Sequence, residues 1–146
     1  MNELQRARLR ADLAELIYDL RDYYRFYRDN RGMEPYERTH GGNFNAVMDA
    51  PVEDPDRGLA YVALAMAEYE DRSFLGYLSA GLLEDLLRDP TSEMLDRIVA
   101  EGRKTARFRW MLSGVWSHAI AERARAPVKA VVGEYCIEQL MPSAPF

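Results

Sequence analysis

The chain has one cysteine, Cys136, and two histidines, His40 and His118, among its 146 residues. A single cysteine excludes an internal disulfide and suits a reducing compartment. Flanked by Tyr135 and Ile137, it reads as a small buried hydrophobe on an apolar helix, not as a nucleophile. The histidines lie far apart with no H-E-x-x-H or related spacing, so no metal site is spelled out. No G-x-S-x-G, P-loop or dinucleotide fingerprint occurs, and no cofactor is implied. His40-Gly41-Gly42-Asn43 could offer amides to an anion, but it reads first as plain loop. Long hydrophobic runs are missing too. The longest uncharged stretch, Trp110 to Ala121, falls far short of the ~20 residues that cross a bilayer. The opening MNELQRARLRADL has no apolar signal-peptide core. Together these absences lead to the expectation of a cytoplasmic protein with no membrane partner.

What is present is ordinary for a globular protein. Apolar residues make up 48% and charged residues 29%, and the length suits one domain with a continuous core. The net charge of −5 hides an uneven distribution. Residues 1–48 are balanced. Residues 49–96 hold twelve acidic against three basic side chains, and residues 97–129 hold eight basic against two acidic. A surface divided in this way favours a protein partner of complementary charge. The plainer alternative is that acidic and basic helices pack together and neutralise one another.

Helical periodicity runs through most of the chain. Leu9, Leu13, Leu16, Leu20, Tyr23 and Tyr27 form one stripe, predicting a long first helix over about residues 3–30. At 1.5 Å per residue it is about 40 Å long, enough to cross the whole body or to meet a second copy of the chain. Residues 32–53, broken by Gly32, Pro35, Gly41, Gly42 and Pro51, read as a loop. Asp54-Pro55 opens the next helix as N-cap and first turn. That helix carries Leu59, Val62 and Met66 and is apolar nearly all round, so it should be central. Ser73 is the expected cap of a third stretch that Gly76 and Gly81 weaken. Pro90 ends it, and Thr91 or Ser92 caps the helix that follows. Phe108, Leu112, Val115 and Trp116 continue at helical spacing, with Trp116 read as buried. Pro127 should open a last helix that runs through Tyr135 and Leu140, and the tail 141–146 should be loose. The fold expected is therefore all-α: one domain over 1–146, with a long N-terminal helix over 1–31, a loop over 32–53 and a helical body over 54–140. Six or seven helices share one core, with HEAT-like helix-pair packing as an architectural option, although no sequence repeat accompanies it.

Gly81, Leu83, Glu84, Asp85, Leu86 and Leu87, then Glu101 and Arg103, then Phe108, Arg109, Leu112, Gly114, Val115 and Trp116 form a pattern. It resembles a family of uncharacterised bacterial domains made of small helical proteins, over about residues 54–116. The resemblance implies a helical fold and brings no reaction with it.

Glu84 and Asp85 diverge by about 100° on a helix and cannot act as one carboxylate pair. Glu84 is expected to pair with Arg103, Arg107 or Arg109, either as a packing contact or as an anion-binding site. Tyr23, Tyr24 and Tyr27 alternate with arginines, a composition found at protein hot spots and on nucleic-acid surfaces. The acidic balance of the chain disfavours nucleic acid. The leading expectation is a non-catalytic protein-binding module of the immunity type, which neutralises a basic bacterial toxin. Its candidate partner-binding residues are Glu84, Asp85, Asp89, Glu93, Asp96, Tyr23, Tyr24 and Tyr27. The alternatives are a small enzyme acting on an anionic or phosphorylated substrate through Glu84 and Arg103 to Arg109, and a nucleic-acid-binding regulator. A homodimer through the N-terminal helix is also open.

Overall fold

A computed structural model describes residues 3–31 and 44–143 of the chain, and the side chains of 13–31 and 45–143. Seven α-helices and a short 3-10 turn make up the described residues, with no strand among them. Helix α1 is Glu3–Asn30, as the leucine stripe predicts. Leu16, Leu20 and Tyr23 are buried on its inner face. Leu13 stays 42% exposed and Tyr18, on the outer face, 60% exposed. Leu9 and the loop sequence 40–43 lie outside the residues whose side chains are described.

The loop expected over 32–53 is corrected in its second half, because Phe44–Glu53 is a helix, α2. Val47, Ala50 and Pro51 are its buried positions, at i, i+3 and i+4. Pro51 obscures this pattern in the sequence. It falls in the last turn, where its missing N–H removes one helical bond, and Asp54 N still reaches Ala50 O at 2.8 Å. Helix α3, Pro55–Glu68, follows at once. The Asp54 side chain caps it by accepting from Arg57 N at 3.3 Å. Every residue from Gly58 to Met66 is buried, so α3 is the axis of the core. Gly58 is needed where α2 crosses it: a Cβ there would sit 3.2 Å from the Pro51 backbone.

Helix α4 runs as Arg72–Leu78, a π-turn at Ser79–Leu83, and Glu84–Arg88. Its cap is Asp71, which accepts from Phe74 N at 3.0 Å, and not the expected Ser73. Ser79 lies in the π-turn and donates its hydroxyl to Leu75 O at 3.0 Å. Helix α5, Ser92–Lys104, is capped by Thr91, which accepts from Met94 N at 3.1 Å. After Thr105 comes α6, Ala106–Leu112, which buries Phe108, Trp110, Met111 and Leu112. The 3-10 turn Ser117–Ala119 leads into α7, Glu122–Val132. Pro127 is therefore inside the last helix and does not open it, and Tyr135 and Leu140 lie beyond its end.

Gly133, at φ +62°, turns the chain back across α4 and α6. Arg72 donates to Ile137 O at 3.0 Å and the Trp110 indole to Gln139 O at 3.1 Å. The returning segment is tied down through Met141, whose sulfur accepts from Arg107, and residues 144–146 of the tail expected to be loose lie outside the described residues. Cys136 sits in this turn and is exposed, so the expectation of a buried thiol is corrected. The helix that would have buried it ends four residues earlier.

Candidate functional site

The most distinctive surface lies where the chain after α6 meets the end of α4. Ser113 and Gly114 break the helical register. A Cβ on Gly114 would lie 3.0 Å from Ile137 Cδ1 and 3.1 Å from Ser79 Cβ, so glycine permits a close pass over the π-turn. Beyond that break Trp116 turns outward and is 66% exposed. This corrects the reading of Trp116 as buried. Trp110, one helix earlier, is the tryptophan inside the core.

Four hydrogen bonds fasten the segment 116–123 to α4 and the turn after it. Trp116 N donates to Glu84 Oε2 at 3.2 Å, and Ala121 N donates to Leu87 O at 3.0 Å. Arg123 donates to Asp89 Oδ1 at 2.8 Å and also to the Pro90 carbonyl. The His118 ring stands edge-on to Trp116, with centroids 5.8 Å apart. The neighbours Val115 and Ser117 line an apolar groove of 450 Å³ that Leu112, Ile120, Val128 and Val132 complete, with Arg125 and Lys129 at its border. Arg125 Nε donates to Ser117 O at 2.8 Å, which fixes one side of that border. The result is an apolar centre between the carboxylates of α4 and the cations of α7.

Glu84 is half-buried and serves the Trp116 backbone. Asp85 pairs with Arg88 at 3.0 Å, and Asp89 is exposed beside Arg123. Glu93 and Asp96 are exposed on the first turns of α5. The tyrosines go elsewhere. Tyr23 is only 2% exposed, while Tyr24 and Tyr27 stack on Phe74 at 4.7 and 5.4 Å. Tyr24 also donates to Asp71 at 2.9 Å. They bind α1 to α4, and of the candidate carboxylates Asp85 shares a pocket lining with Tyr23.

The arginines expected beside Glu84 do not converge on it. Arg107 is 1% exposed, with Nη1 on Glu70 at 3.2 Å and Nη2 on Tyr69 O at 2.8 Å. Arg109 donates to Gly102 O at 2.9 Å, and Arg103 is exposed. Each is used in packing or faces solvent, and together they make no anion cradle. Among the described residues, no three His, Cys, Asp or Glu side chains stand close enough to hold a metal ion. No helix there is long and apolar enough to cross a membrane.

One buried polar cluster was not read from the sequence. Asp19, 3% exposed, accepts from Tyr61 at 2.6 Å and from Arg57 at 3.1 Å. Arg57 also reaches Glu15 at 2.9 Å and donates through Nε to the Tyr61 hydroxyl. Burial, followed by the bond to Asp19, pushes the Tyr61 hydroxyl well above the ordinary tyrosine range and keeps it protonated. The sequence signal was available: Asp19 interrupts the Leu16, Leu20, Tyr23 stripe, and Arg57 and Tyr61 stand four apart on one face of α3.

Fold and surface together define a small all-α protein in which the most exposed aromatic among the described residues is anchored between charged borders. The chain belongs to a family of unknown function, DUF6869, whose model matches residues 35–136. The match extends the sequence resemblance on both sides and includes α2, the Trp116 surface and α7. No curated protein and no solved structure matches the chain.

Proposed function

We propose that this protein is a non-catalytic protein-binding module, of the immunity type, that neutralises a basic toxin through the Trp116 surface. The observation that carries the reading is the 66% exposure of Trp116 on a backbone pinned by Glu84. Tryptophan is enriched among residues that dominate binding energy. Burying the exposed part of an indole is worth about 3 kcal/mol. A free protein that leaves this unused on an ordered turn has a surface suited to a partner. The carboxylates Glu84, Asp89, Glu93 and Asp96 would meet the basic side of that partner and speed the encounter, while Asp85 faces a different pocket. Tyr23, Tyr24 and Tyr27 are set apart from this role by their packing.

The test is survival of bacteria that express both this protein and the toxin domain encoded beside its gene. Survival with the native chain and death with Trp116→Ala, at equal levels of folded protein, is the expected outcome. Normal killing in the presence of the native chain removes the immunity reading. The enzyme alternative needs Glu84 to act with arginines that lie elsewhere, and no specific observation favours the nucleic-acid alternative.

A further inference from the structure

A second concavity lies at the π-turn of α4, where α1 and α2 converge. It measures 240 Å³ and is lined by Tyr23, Met48, Tyr77, Gly81, Leu82 and Asp85. A volume below the roughly 300–1,000 Å³ of pockets for drug-sized ligands fits a head group and not a whole cofactor. The character of the wall is uniform. Two phenol rings offer electron-rich faces, Met48 offers a polarizable thioether and Asp85 carries a negative charge. No cationic side chain lines it among the described residues. Arg88 pairs with Asp85 at 3.0 Å but is itself 65% exposed, a weak surface pair that an incoming cation can replace.

The walls come from different elements and are held in place. Tyr23 belongs to α1 and Met48 to α2. The Tyr23 and Tyr77 rings lie 6.0 Å apart at 32°, and Tyr77 rests on Tyr27 at 4.9 Å. Tyr23 is 2% exposed and fixed, while Tyr77 at 39% and Met48 at 44% form the mouth. The π-turn widens the helix here, and such turns recur at functional sites. A Cβ on Gly81 would meet nothing within 4 Å, so packing does not require glycine there, and the glycine leaves the cavity open. The Tyr23 hydroxyl is pushed far above its ordinary range, first by burial and then by Tyr77 and the Asp85 charge. An anion would find no cation in this lining, and a neutral apolar molecule would gain nothing from Asp85. An alkylated ammonium satisfies both, since its methyl groups fill the apolar walls and its charge faces the rings and the carboxylate.

We propose that the π-turn pocket binds the methylated ammonium head of a small organic cation, with Tyr23 and Tyr77 as aromatic walls and Asp85 as counter-charge. This site is separate from the Trp116 surface and stands or falls independently of the toxin reading. The experiment is calorimetric titration of the intact chain with choline, and with its uncharged isostere 3,3-dimethylbutan-1-ol, at matched ionic strength. Saturable binding of choline without binding of the isostere is expected. Asp85→Asn and Tyr77→Leu should each weaken choline binding about tenfold, and Tyr77→Phe, which keeps the ring, should retain most of it. Thermal unfolding of each variant checks that the fold is intact. Absence of saturable choline binding, equal binding of the isostere, or binding unchanged in both Asp85→Asn and Tyr77→Leu overturns the proposal.

Discussion

Asp19 is a carboxylate only 3% exposed in the seam between α1 and α3, where Tyr61 and Arg57 both donate to it. A buried charge of this kind adds modest stability over an apolar pair, but removing one partner strands the others. Asp19→Ala takes the acceptor of the Tyr61 phenol and one of the two carboxylates of Arg57, and should cost about 3–5 kcal/mol in urea denaturation. Tyr61→Phe keeps the volume and should cost about 1–2 kcal/mol. Two buried tyrosines set an alkaline limit. Tyr23 and Tyr61 are both held above their ordinary value of 10.0, mainly by burial. The unfolded chain releases their protons from about pH 10 while the folded chain holds them, so stability is intact below that pH and falls as pH rises above it. Denaturation midpoints measured from pH 7 to 11 should decline past pH 10, and less steeply in Tyr61→Phe.

At the scale of elements, small residues decide how closely the helices approach. A Cβ at Gly102 in α5 would sit 2.5 Å from Val131 Cγ1 in α7 and 3.1 Å from Leu112 Cδ1 in α6. Alanine favours a helix over glycine by about 1 kcal/mol, but a β-branched neighbour inside contact distance opposes it by about 1–3 kcal/mol. Gly102→Ala should therefore lower the melting temperature. Adding Val131→Ala should recover part of the loss, a non-additivity that marks contact. The helices whose stripes are strong were legible in the sequence. The span of α1, the Asp54 cap, the all-round burial of α3 and the stop at Pro90 all appear where their residues put them. Two regions were not legible, for definite reasons. In α2 the proline near the end masks a buried i, i+3, i+4 set. After α6 the count from Phe108 to Trp116 assumes an unbroken helix, whereas Ser113-Gly114 breaks the register and turns the tryptophan out. The π-turn has no periodic signature, so the pocket it opens was invisible, although Asp85 and Tyr23 had both been singled out. The carboxylates near Trp116 were read from charge alone. The arginine partners expected for Glu84 were absent because buried Arg107 is tied to Glu70 and Tyr69 O.

Across the whole molecule the acidic and basic segments partly neutralise one another. Arg97 pairs with Asp56, Arg107 with Glu70 and Arg123 with Asp89, each joining the basic half of the sequence to the acidic half. Glu93 and Asp96 remain exposed on the first turns of α5, and Asp89 is exposed beside Arg123. Association with a basic partner should then slow as salt rises from about 50 to 500 mM, while dissociation changes little, in stopped-flow mixing. Neutralising Asp89, Glu93 and Asp96 together should reduce that dependence on the association side. The most direct test is the affinity of purified native and Trp116→Ala protein for the product of the gene beside its own, measured by calorimetry beside the melting temperature of each. The expected result is tight binding by the native chain, a loss of at least about thirtyfold in the variant and an unchanged melting temperature. Equal affinity of the two proteins, or no complex with the native chain, would contradict a function centred on the exposed indole.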